Sequence, residues 1–189
     1  MYSKEMVKQS LPLIVFCGVG AIVAGITLSL MTDIFLKIPG LIVVIPAIIA
    51  MRGNISTALG SRLGSAYHLG VIDADNIWND ELKQNIIGSF ILSFIVSILI
   101  GVLAFFSTII FFDVAIDPIL LASILISIVL IAGLISAVIL TLITILIIYL
   151  VFKRGYDPDN ITGPALATFG DMITMSCILF AALIVGVLI

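Results

Sequence analysis

The stretch "ILLASILISIVLIAGLISAVILTLITILIIYLVF", residues 119–152, contains no Asp, Glu, Lys or Arg. A helix rises about 1.5 Å per residue, so this run is longer than the roughly 30 Å hydrocarbon core of a bilayer requires. It predicts a helix that crosses the membrane with a tilt or projects into water. The whole chain of 189 residues fits this interpretation, since 62% of it is hydrophobic and only 10% is charged. A soluble domain is about a quarter charged.

Four further apolar runs predict a polytopic, all-α membrane protein with five transmembrane helices per chain. Strands of a β-barrel would be about ten residues long with alternating polarity, and the sequence does not show this pattern. The first run is longer than the apolar part of a signal peptide, so no cleavable signal is expected. We interpret residues 1–189 as one transmembrane domain. Its predicted spans are residues 11–36, 39–69, 86–112, 119–152 and 159–189.

Lysine and arginine residues predict on which side of the membrane each end lies. If the N-terminus is inside, only Lys37 falls on the outer side, where the loop of residues 113–117 is acidic. The positive-inside rule therefore favours an N-in and C-out, multi-pass protein of the cell membrane. The basic residues expected inside are Lys4, Lys8, Arg62, Lys83, Lys153 and Arg154.

The longest loop, residues 71–84, is acidic and allows two interpretations. It is either a solvated linker with an amphipathic turn around Trp78, or a cytoplasmic patch that senses or admits cations. No nucleotide-binding fold or P-loop is recognisable, and no nucleic-acid partner is expected, so transport would need a gradient or a partner chain. The acidic residues are Asp73, Asp75, Asp80 and Glu81.

The second predicted span becomes polar and rich in small residues halfway along. Asn54, Ala58, Ser61 and Ser65 share one helical face, and a glycine-rich stripe lies beside it. Close helix packing explains the glycines. It does not explain Arg52 and Asn54, because a charged side chain at the bilayer centre costs about 2.5–3.5 kcal/mol. One side of this helix is therefore expected to line a hydrated cavity or a polar helix interface.

The fifth predicted span contains "TGPALATFGDMITMS", residues 162–176. Asp171 lies about 16 Å along this helix, or about halfway across the membrane. Ala167 and Gly163 precede it on the same face, and Thr174 follows three residues later. Small residues around one carboxylate leave room for a hydrated ion, and their accessible carbonyls suit a hard cation.

The role of Asp171 has four alternative interpretations at this point. The carboxyl group is protonated and structural, or it pairs with Arg52 as a buried ion pair. Alternatively it relays protons or Na⁺ in a transporter, or it binds a divalent cation on its path. Sequence spacing alone leaves these alternatives open.

Two motifs carry a resemblance to a known family. "GNISTALGSRLGSAYHLG", residues 53–70, resembles the second-span motif of MgtE-type magnesium transporters and of the related eukaryotic solute-carrier magnesium transporters. "DPDNITGPALATFGDMIT", residues 157–174, is similar to the fifth-span motif of the same family. The resemblance implies a homodimer in the lipid bilayer with a divalent cation pore, most often for Mg²⁺, at the dimer axis. Spans two and five would line this pore, and the eukaryotic relatives join two such units in one chain.

The resemblance also assigns roles to individual residues. The central acidic ligand of the family corresponds to Asp171, and its backbone ligand one turn earlier corresponds to Ala167. Gly163 occupies a position where some bacterial members have asparagine, so one side-chain ligand is absent. The bound metal is the transported ion, and no separate cofactor is implied. The residues expected to line the pore or form its polar network are Arg52, Asn54, Ser61, Ser65 and Thr174.

Bacterial members carry cytoplasmic sensor domains before the first span, whereas this chain begins about ten residues before its own. Gating is therefore expected to be intrinsic or to depend on an unknown partner. An intramembrane aspartyl protease would use motifs like Tyr156-Asp157 and Gly170-Asp171. Because Asp157 precedes the same span as Asp171, the two carboxylates cannot share a water molecule, and no enzyme is expected. The remaining alternatives are a cation-coupled permease for a small solute and a non-transporting scaffold subunit.

Overall fold

The structure is a computed structural model that describes residues 2–72, 78–154 and 158–187. Five of its helices are long and apolar enough to cross a membrane, which confirms the predicted five-span, all-α architecture. Asp73, Asp75, Tyr156 and Asp157 lie outside the described residues. The helices are α1 (Tyr2–Leu30), α2 (Thr32–Lys37), α3 (Leu41–His68), α4 (Asp80–Phe111), α5 (Pro118–Lys153) and α6 (Pro158–Val187).

The first predicted span, residues 11–36, is divided between two helices. The transmembrane helix α1 ends at Leu30, and the short α2 follows the fully buried Met31. Ile38 then adopts the extended conformation that a following proline favours. Gly40 has a φ of 81°, and a Cβ atom there would lie only 2.9 Å from Thr108 Cβ. Glycine allows the chain to turn here, directly against the end of α4.

Side-chain caps fix the starts of α4 and α5. Asn79 Oδ1 accepts a hydrogen bond of 2.9 Å from the Leu82 amide, so α4 begins before the predicted residue 86. Asp117 Oδ1 accepts hydrogen bonds from the amides of residues 119 and 120, and Pro118 occupies the first helical turn. The loop between α3 and α4 is therefore shorter than the sequence predicts.

Helix α5 packs on α3, α4 and α6. Helix α3 also packs on α4 and α6, whereas α1 packs mainly on α6. A Cβ atom on Gly101 of α4 would lie 2.8 Å from the backbone Cα atom of Ile126 in α5. Lipid gives little hydrophobic drive for helix association, so such close backbone contacts hold the helices together.

The helices cross the membrane in alternating directions. Helices α1, α4 and α6 start on the same side on which α3 and α5 end, and we call this the N-terminal side. The opposite side carries α2, the turn at Gly40 and the loop between α4 and α5. As the second and fifth transmembrane helices, α3 and α6 are antiparallel neighbours.

Candidate cation site

Asp171, the predicted acidic ligand, lies on a face of α6 that is accessible from outside the protomer along only part of the helix. Ala167 is exposed, and Gly163 and Asp171 are half-buried. Further along the same face, Thr174 and Ile178 are fully buried. The face is therefore open from the N-terminal side to about the level of Asp171, and closed beyond it.

Small residues keep space free beside this carboxylate. Added Cβ atoms at Gly163 and Gly170 would meet no atom within 4 Å. On α3, the same is true of Gly53 and Gly64. These glycines therefore leave open space, and close packing does not explain them.

Helix α3 presents its own polar face to the outside of the protomer. Asn54, Ser61 and Ser65 are all exposed, together with Ala58. They fall on one side of the helix, as their spacing predicts. A polar surface at membrane depth is unusual for a chain whose other exposed residues are largely apolar.

The open faces of α3 and α6 lie on the same side of this helix pair. The helices meet at Gly60, where a Cβ atom would lie 2.8 Å from Leu166 Cδ1. Ser61 follows Gly60 by one position, and Ala167 follows Leu166 by one position. One position corresponds to a rotation of about 100° around the helix axis. Because the helices are antiparallel, this rotation takes both residues to the same side. We call Asn54, Ser61 and Ser65, with Gly163, Ala167 and Asp171, the polar face.

Arg52 lies away from the polar face, between α3 and α4. Its side chain is 1% exposed, and Nη2 donates a hydrogen bond to Ser93 Oγ. Its Nε atom has no hydrogen-bond partner among the described residues. Of the described residues, only Lys83 and Asp80 form an ion pair. Arg52 therefore does not pair with Asp171 in the protomer, and it belongs to a polar helix interface.

Thr174 marks the point where the open face of α6 closes. It is completely buried, and its Oγ1 atom has no hydrogen-bond partner among the described residues. Neighbouring hydroxyl groups on α6 do find partners: Thr168 Oγ1 donates to the Pro164 carbonyl at 3.1 Å, and Ser176 Oγ donates to the Met172 carbonyl at 2.9 Å. The Thr174 hydroxyl group is thus a free polar group one turn beyond Asp171.

Sequence reasoning missed a buried polar stripe on α4. Ser93 Oγ donates to the Ser89 carbonyl at 2.5 Å, and Ser89 Oγ donates to the Asn85 carbonyl at 2.8 Å. Asn85 in turn donates to the Glu81 carbonyl at 2.9 Å, near the N-terminal side. The spacing of four residues was visible in the sequence and could have predicted the stripe. Its buried members are Asn85, Ser89, Ser93 and Ser97.

The donor set of the polar face limits what one protomer can bind. The described residues contain no group of three or more His, Cys, Asp or Glu side chains that could hold a metal. Asp171 is the single carboxylate on the polar face, and the neighbouring groups are hydroxyl, amide and backbone oxygen atoms. Such oxygens suit a hard cation that keeps most of its water ligands. Both described cysteines are free; Cys177 is buried and Cys17 is half-buried.

A helical, polytopic chain with one carboxylate on an open polar face has the architecture of a membrane transporter or channel subunit. The chain belongs to the MgtE family, described as "Divalent cation transporter", which it matches over residues 45–181. This match covers most of α3 and α6 and confirms the predicted family. The family consists of transporters and not of enzymes.

Vertebrate relatives match nearly the whole chain. Solute carrier family 41 member 2 from Homo sapiens is 30% identical over 186 residues, which cover 90% of this chain and 30% of the human protein. The Gallus gallus protein of the same name is 29% identical over 189 residues, covering 92% of this chain and 30% of its own length. This chain therefore spans about 30% of the length of these relatives. No solved structure matches it.

Proposed function

We propose that two copies of this chain form a pore that carries divalent cations, with Mg²⁺ as the transported ion. The observation that carries the proposal is the half-buried Asp171 carboxylate on an otherwise neutral, open polar face. The chain's membership of a divalent cation transporter family supports the same function.

The exposure of the polar face is the reason for a second copy. Asn54, Ser61 and Ser65 lie on the outside of the protomer within the span of α3. Polar groups that face hydrocarbon lose their hydrogen bonds with water, which is costly. A second copy that covers the polar face would turn it into the wall of a water-filled path. Two Asp171 carboxylates would then face each other, and one divalent ion would neutralise both.

The side chains beside Asp171 favour a hydrated Mg²⁺ ion. Mg²⁺ loses water reluctantly and prefers octahedral coordination by oxygen. The absence of side-chain bulk at Gly163 and Gly170 leaves room for its water ligands. Ala167 would contribute its backbone carbonyl oxygen.

The membrane potential supplies the energy for uptake in this proposal. Lys83, Lys153 and Arg154 lie on the N-terminal side, so the positive-inside rule favours that side as the cytoplasmic one. Moving one charge across 100 mV is worth about 2.3 kcal/mol, or about 4.6 kcal/mol for a divalent ion. Inward flow of Mg²⁺ therefore needs no ATP.

Reconstituted protein is expected to carry Mg²⁺ into liposomes, and an inside-negative potential is expected to accelerate the uptake. The measurement uses a Mg²⁺-sensitive dye inside the vesicles, with the potential set by a K⁺ gradient and valinomycin. Protein-free liposomes under the same potential are the control. An absence of divalent cation flux, with or without a Na⁺ gradient, would rule out the proposed function and leave the permease and scaffold alternatives.

Cysteines on the polar face are expected to cross-link between two copies. Cys17 and Cys177 are first replaced, and a bifunctional thiol reagent is then applied in native membranes to Ser61→Cys. A covalent dimer is expected, because the proposed pore brings the two copies of residue 61 to opposite walls. Leu142→Cys is the control, because this residue is 61% exposed on α5. Equal cross-linking at both positions would contradict a dimer built on the polar face.

A further inference from the structure

An apolar groove lies on the side of the molecule opposite the N-terminal side. Its volume is about 460 Å³, within the range of about 300–1,000 Å³ that is typical of ligand sites. It is formed where α2, α5 and α6 meet, and Lys37 is the one charged residue in its described lining. The polar face opens towards the N-terminal side, so the groove is a separate feature.

The walls of the groove show that it opens sideways, towards lipid. Ile124 and Ala182 form a buried floor, whereas Leu120 and Leu183 are 43% and 51% exposed at the rim. Ile124 lies six positions after Pro118, where α5 begins, so the floor reaches about 9 Å below the start of the helix. The groove therefore extends from the membrane surface into the hydrocarbon region.

Lys37 places a positive charge at the shallow end of this groove. It is the last residue of α2, its side chain is exposed, and it makes no ion pair with an acidic residue in the described part of the chain. The carboxylate of Asp117, which follows the lining residue Ile116, already accepts two amide hydrogen bonds as the cap of α5. A lysine ammonium group on a flexible stem can reach the membrane surface and bind phosphate there.

We propose that this groove binds one acyl chain of a glycerophospholipid whose phosphate group is held by Lys37. The groove matches both parts of such a molecule, with an apolar floor in the hydrocarbon region and a cation at the surface. A water-soluble ligand would find only one polar side chain in the described lining, which favours a lipid.

The test is photo-cross-linking of the full chain in nanodiscs with a phospholipid that carries a diazirine partway along one acyl chain, at the depth of the groove floor. Peptide mass spectrometry is expected to find the label concentrated around Ile124 and Ala182. Lys37→Gln is expected to reduce labelling several-fold, because the phosphate loses its partner. Gly186→Leu is expected to reduce it by filling the groove, since a Cβ atom there meets nothing within 4 Å.

Two controls separate this lipid from general lipid contact. Lys153→Gln removes an exposed lysine on the N-terminal side and is expected to leave labelling unchanged. A diacylglycerol carrying the same diazirine chain lacks the phosphate and is expected to label the groove weakly in every variant. Label spread evenly over the lipid-facing helices would overturn the proposal. Unchanged labelling in either Lys37→Gln or Gly186→Leu, with each variant still folded by its melting curve, would also overturn it.

Discussion

Asp171→Asn is expected to abolish divalent cation flux while the protein still folds. Asparagine has nearly the same volume as aspartate and removes only the ionisable group. Asp171 forms no ion pair with a described residue, so its replacement leaves no cation unpaired in the protomer. Removing a carboxylate from the membrane interior is therefore expected to leave the melting temperature unchanged or raise it.

Mg²⁺ binding offers a second measurement on the same variant. A ligand that binds only the native state stabilises it by about 2.7 kcal/mol at a concentration of 100 times Kd. The rise in melting temperature on adding Mg²⁺ should therefore disappear in Asp171→Asn together with the flux. Asp33→Asn is the matched control, because Asp33 is exposed on α2, away from the polar face. Wild-type flux in Asp171→Asn would remove this carboxylate from the transport mechanism.

Gly101→Leu is expected to lower the melting temperature strongly, because α4 and α5 touch at this position. A Cβ atom there would lie 2.8 Å from the backbone Cα atom of Ile126, so the two helices would have to move apart. Inserting extra methylene groups into a packed core typically lowers the free energy of unfolding by about 1–3 kcal/mol. Leucine adds several carbon atoms at a position that has no room for one. The measurement is thermal denaturation of the wild-type protein and of Gly101→Leu in the same detergent.

Gly88 on the same helix provides a matched control for Gly101. A Cβ atom at Gly88 would meet nothing within 4 Å, so Gly88→Leu is expected to retain stability or gain slightly from the better helix propensity of leucine. Both substitutions make the same chemical change in one helix. An equal loss of stability in the two variants would show that the contact with Ile126 is not the cause.

The transmembrane helices could be predicted well from the sequence, because the length and polarity of an apolar segment are properties of consecutive residues. The break at Met31 was not predicted, although the polar pair Thr32 and Asp33 follows it directly. The turn after α2 depends on Gly40 fitting against Thr108, two residues far apart in the chain. Contacts of this kind leave no local pattern in the sequence.

The polar residues of α3 show that helical spacing could predict which side of the helix a residue lies on, but not its partner on another helix. Helical spacing placed Asn54 and Ser61 on one face, and the structure exposes both. Arg52 precedes Asn54 by two positions, or about 200° around the helix, and therefore points to the other side. Its partner Ser93 lies on α4, and sequence spacing within one helix could not identify it.

The packing of α1 mainly on α6 has a consequence for the biosynthesis of the protein. The ribosome finishes α1 at Leu30, but its partner helix begins only at Pro158. At a translation rate of about 5–20 residues per second, on the order of ten seconds separate the two events. Throughout this interval α1 must lie in the bilayer surrounded by lipid, which its apolar surface permits. The first helix to be inserted is thus the last to find its neighbour, and assembly of the protomer waits for the end of translation.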